Sequence, residues 1–96
     1  MSETYIRIYR RTAAGDIFDH KHDMELSDFG GVVPAAGDLI LDPGVLQGST
    51  RSDPHNRRMW TVVQRVFNPR DLGGEYIVLV IEDRSVSEHE VELLPT

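Results

Sequence analysis

Two apolar runs lie close together in the second half of the chain, Met59 to Phe67 and Tyr76 to Ile81, with Asn68-Pro69-Arg70-Asp71-Leu72-Gly73-Gly74 between them. β-Branched and aromatic side chains, which suit a pleated and half-buried surface, fill both runs, and the connector is rich in turn formers. The pattern predicts a β-hairpin. No other stretch is as apolar or as regular, so the remaining segments must be laid around this pair.

The first of those segments, Thr4 to Thr12, alternates. Ile6 and Ile8 fall on one face and Tyr5, Arg7 and Tyr9 on the other, the period of a strand with one face in a core. Ala13 to Asp16 reads as a tight turn. Ile17 to His22 is a second, shorter strand whose polar end suits an edge. Residues 23–31 leave one helical turn or irregular chain open, with Gly30-Gly31 as terminator and Met24, Leu26 and Phe29 as packing residues. Pro34 and Gly37-Asp38 then turn the chain into a strand at Leu39-Ile40-Leu41. Residues 43–58 show no period and many breakers. They predict an irregular loop, and structureless loops beyond ~12–15 residues are usually functional or disordered.

Within the hairpin, Trp60, Val62 and Val66 are expected on one face and Val63 and Phe67 on the other, with Trp60 and Phe67 in the core. Glu82 to Ser85 reads as a turn. The last segment, Val86 to Leu94, holds a helix capping box in Ser87 and Glu90. So few residues before Pro95 make a marginal helix, so a strand is expected, with Glu88, Glu90 and Glu92 on its wet face.

The expected fold class is therefore all-β, with at most one short helical turn near 24–29: a small barrel or a rolled antiparallel sheet of five to six strands. Its 96 residues make a single domain, 1–96, with the irregular loop at 43–58. The succession Val33-Pro34-Ala35-Ala36-Gly37-Asp38-Leu39-Ile40, then Trp60 to Val66, then Tyr76 to Val80 resembles SH3-like small barrels. In many of these a Pro-x-x-Gly-Asp turn enters a strand ahead of the strongest hairpin. The resemblance implies a fold and no activity.

Composition narrows the chemistry. There is no cysteine, so disulfides and thiol catalysis are excluded. The N-terminal residues lack the basic and apolar regions of a signal peptide, and no apolar run approaches the ~18 residues of a membrane span, so a cytoplasmic protein is expected. The net charge is −6, which opposes nucleic-acid or anionic-membrane binding. No nucleophile elbow, phosphate loop or calcium loop is present, so no enzymatic activity and no cofactor are expected.

Two clusters remain. Arg51, His55, Arg57 and Arg58 in the long loop form the candidate binding site, able to hold a phosphate or an acidic peptide; the competing reading is a solvated loop. His20 and His22 project to one face of a strand and are the candidate metal ligands, although zinc commonly needs three or four and no Cys exists to complete them. The leading expectation is a non-enzymatic protein-interaction module, monomeric or homodimeric, using the Arg-bearing loop or an edge strand. The alternatives are a nucleic-acid-binding barrel using the tyrosines and arginines of the first strand with Arg57 and Arg58, and metal binding through His20 and His22.

Overall fold

The computed structural model describes residues 4–44, 47–69 and 75–95. The chain is all-β as expected: β1 (Tyr5–Arg11), β2 (Ile17–Glu25), β3 (Leu39–Leu41), β4 (Arg58–Asn68) and β5 (Tyr76–Ser85), with short 3-10 turns at Leu26–Phe29, Pro54–Asn56 and Glu88–Leu93. These strands form one sheet in the order β2-β1-β5-β4-β3.

Two hairpins make up its centre. β1 and β2 are joined through Gly15, whose φ of 91° lies in the left-handed region open to glycine. β4 and β5 pair antiparallel, as the two apolar runs predict, while the connector at 70–74 lies outside the described residues. The hairpins meet through β1 and β5, which run parallel in the register Ile6 with Ile77 and Ile8 with Leu79. Purely antiparallel pairing was expected. The parallel seam sets the inward Ile6 and Ile8 of β1 level with Ile77 and Leu79 of β5, so that these four side chains pack together in the core.

The sheet is not closed into a barrel. It is strongly rolled, however. β2 and β4 are separated by β1 and β5, about 14 Å apart on a flat sheet. Yet the His20 and His22 rings of β2 rest against Trp60 of β4, with centroids 5.2 and 5.6 Å away. The enclosed face holds the main core: Ile6, Ile8, Ile40, Trp60, Val62, Ile77, Leu79 and Ile81, with Met24, Leu26, Phe29 and Val33 packed against it.

Two bulges interrupt the ladders, and the second, which inserts a single residue, reassigns faces. In β2, residues 20–22 together oppose Ile8, and Lys21 takes a φ of 57°. In β4 the register slips by one residue, since Val62 faces Ile81 but Gln64 faces Val80. One extra residue swaps the faces of everything beyond it. Val66 therefore does not share the face of Trp60 and Val62, and Phe67 lies on that face instead, near its rim and 55% exposed rather than in the core.

The C-terminal segment departs most from expectation. Residues 82–85 continue β5 instead of turning, since Arg58 on β4 bonds Asp83 and Ser85. Residues 88–93 form a 3-10 turn rather than a strand, with the Ser87–Glu90 capping box formed in both directions. Arg84 grips Glu90 with both terminal nitrogens, each at 2.8 Å, and Glu90 also accepts the Ser87 N–H at 2.8 Å. This turn carries Leu94 onto Met59 and Val86, a second cluster that Leu41 borders.

The Glu90 carboxyl is held at about 2, below its ordinary 4.5, first by the Arg84 hydrogen bonds and then by the Ser87 amide. A depressed folded value makes the stabilisation fully present above about pH 4.5 and progressively lost as pH falls toward 2. Glu90→Gln should therefore flatten the acid limb of a stability-against-pH curve in that window. An acid limb that keeps its wild-type slope would rule out this clasp.

Candidate functional site

An open sheet leaves two unpaired edges, β2 and β3, and a cleft of about 530 Å³ lies beside the second. One wall is built by the turn that precedes β3. Pro34 is buried, Gly37 takes a φ of 97°, and the Asp38 carboxylate accepts the Ala35 N–H at 2.7 Å. The Gly37 N–H in turn donates to the Val62 carbonyl at 2.8 Å, docking the turn on β4. The facing wall is the Leu26–Phe29 turn, capped by reciprocal bonds between Glu25 and Asp28 and ended by Gly30 in the left-handed conformation. Apolar side chains of Met24, Phe29, Val32 and Leu39 line the cleft, with the carboxylates of Asp28 and Asp38 among them. Val32 is 70% and Leu39 49% exposed, a high exposure for adjacent aliphatic groups.

The backbone of β3 adds polarity to this apolar wall. Asp38 accepts the Val62 N–H at 2.9 Å and Asp42 donates to the Arg58 carbonyl at 3.0 Å. Residues opposite one another in an antiparallel pair alternate between bonded and non-bonded positions. With Asp38, Ile40 and Asp42 turned toward β4, the N–H and C=O groups of Leu39 and Leu41 face the open edge. An unpaired row of this kind is a template for another strand. β2 is protected in the usual ways, by its bulge and by Asp19, Lys21, Asp23 and Glu25.

The loop residues singled out from the sequence do not converge. Arg57 is buried, 2% exposed, and its terminal nitrogens donate to the carbonyls of Arg51 at 3.0 Å and Asp42 at 2.9 Å. Burial lowers the pKa of this guanidinium, the Arg51 charge lowers it further, and Asp42 acts in the opposite sense. The Arg51 side chain donates to the Pro43 carbonyl at 2.9 Å. Arg58 turns away to Asp83 at 2.7 Å and Ser85 at 3.0 Å. His55 is exposed, its ring 3.8 Å from the Asp53 carboxylate. The arginines thus spend their donors within the chain, and the segment expected to be an irregular loop is fastened by them.

All three tyrosines share the outer face of β1 and β5, by the register of Tyr5 with Tyr76 and of Tyr9 with Val80. Arg7 lies 4.1 Å from the Tyr76 ring centre. Each arginine of β1 on this face is matched by an acid, Arg7 by Asp23 across the ladder and Arg11 by Glu82 at 3.3 Å. The face is aromatic but carries no coherent positive field. Among the described residues no group of three or more His, Asp or Glu is placed to hold a metal ion, and no helix is long and apolar enough to cross a membrane. No family model, curated protein or solved structure matches the chain.

Proposed function

We propose that the chain is a non-enzymatic, cytoplasmic protein-interaction module that takes an extended segment of a partner protein along the open edge of β3. The observation that carries this reading is the outward-facing backbone of Leu39 and Leu41 beside an apolar cleft. Main-chain pairing supplies affinity in strand addition, and pockets for alternate side chains supply selectivity. The frame is that of an SH3-like turn, strand and hairpin left open on one side, a reading supported by the Pro34–Asp38 turn and the antiparallel run of β3, β4 and β5.

Charge selects the occupant. A second copy pairing antiparallel about Ile40 would set Asp38 opposite Asp42 of the other chain at both ends, and like charges directly opposite one another destabilise a pair. A segment with an apolar centre and Lys or Arg at its flanks meets Asp28 and Asp38 instead. The committed arginines and the charge-matched tyrosine face weigh against the long loop and against nucleic acid as the principal contacts.

Selection from a random-peptide display library tests this. Binders should alternate apolar residues between basic flanks. Leu39→Pro should weaken them about tenfold, the loss of about one hydrogen bond, because it removes an outward donor and leaves the ladder to β4 intact. Selected peptides that bind Leu39→Pro as tightly as wild type would refute the reading.

A further inference from the structure

We propose that His20 and His22 form a two-imidazole site for a divalent transition-metal ion, seated against the Trp60 indole and independent of the cleft at β3. The two rings touch the same buried indole, with centroids 5.2 and 5.6 Å from it and planes at 90° and 83° to it. A shared partner of that size holds them near one another. They are also presented by an unusual backbone. Residues 20–22 bulge opposite Ile8, Lys21 adopts a left-handed φ of 57°, and the Asp19 carboxylate fixes the Lys21 N–H at 2.8 Å. A lysine held in that region is strained, and strain in a bulge re-aims the side chains beside it.

Neither ring is hydrogen-bonded or ion-paired to a described residue, and both are half-buried, so solvent reaches them. Neutral imidazole suits Cu, Zn and Ni, and the order of divalent affinities places Cu²⁺ highest. With one ring bound, the second acts at a high local concentration and tightens the chelate. No third protein ligand joins them among the described residues, so water or an external ligand fills the remaining positions. The site is therefore an exchangeable one rather than a closed structural one. The ion competes with protons for the same ring nitrogens.

Trp60 is the only tryptophan, and it reports on the site directly. Titration with Cu²⁺ should quench its fluorescence saturably, because an ion held by both rings lies beside the indole. His20→Gln and His22→Gln should each raise the midpoint about tenfold or more, while His55→Gln and His89→Gln leave it unchanged. Because His20 and His22 also pack on Trp60, NMR of the unsubstituted protein provides a second test. Broadening by substoichiometric Cu²⁺ should be confined to His20, His22 and the Trp60 indole N–H. Quenching that rises linearly without saturation, or broadening centred on His55 or His89, would overturn the proposal.

Discussion

Replacing Trp60 with alanine should lower stability by about 3–5 kcal/mol, the largest loss expected from any single substitution in this chain. A small domain has about 5–15 kcal/mol in total, so the variant would lose a large fraction of its stability. The reason lies in where the indole sits. Trp60 is fully buried, opposes Ile40 across the β3–β4 pair, and is the wall on which His20 and His22 rest. It thus ties three of the five strands, β2, β3 and β4, around the enclosed face. Its removal takes away apolar burial and leaves a cavity that a rolled sheet cannot easily collapse. Urea unfolding followed by far-ultraviolet circular dichroism measures the loss. Trp60→Phe separates packing from polarity. The indole N–H is buried with no hydrogen-bond partner among the described residues, an arrangement that costs about 1–3 kcal/mol. Phenylalanine removes that donor and keeps most of the ring, so its loss should be less than half that of alanine. Equal losses in the two variants would show that the N–H is bonded in solution, contrary to the structure.

The part of this architecture that could be read in advance is the part written in local periodicity. Ile6 and Ile8 against Tyr5, Arg7 and Tyr9 gave the faces of β1 correctly, and the two apolar runs gave β4 and β5. The errors begin where one residue breaks the period. Nothing in Val62-Val63-Gln64 announces a bulge, yet it moves Phe67 onto the inner side and to an exposed rim. At the C-terminus the capping box of Ser87 and Glu90 was visible. A short helix is marginal alone, and the contact that decides this one, Arg84 on Glu90, comes from the strand before it. The cleft could not be seen at all. Its walls, residues 24–32 and 34–43, face each other only after β4 has drawn β3 to one edge of the sheet. The loop arginines are identical in type, and only tertiary geometry distinguishes the buried Arg57 from the exposed Arg58 beside it.

Arg57→Ala should cost about 2–3 kcal/mol and loosen the segment that backs the cleft. Hydrogen bonds to a charged group contribute about 1.5–3 kcal/mol each, and Arg57 makes two, to the carbonyls of Asp42 and Arg51. The net effect falls below their sum for two reasons. Those carbonyls regain water when the side chain is removed, and the guanidinium is itself uncomfortable: buried, and with Nε lacking a partner among the described residues. Two further variants divide the effect. Arg57→Met retains the apolar stem and should recover only the packing share of the loss. Arg57→Lys should not restore the wild type, because one ammonium cannot span two carbonyls that the planar fork reaches at once. Amide exchange should quicken at Asp42, His55 and Asn56, whose N–H groups bond within or beside this segment. The effect should reach the cleft, since Pro43 lines it and the Pro43 carbonyl is held by Arg51. Affinity for a β3-edge peptide should therefore fall in Arg57→Ala even where the protein remains folded. A lysine variant matching wild type in both stability and exchange would show that charge alone, and not the fork, fastens the loop.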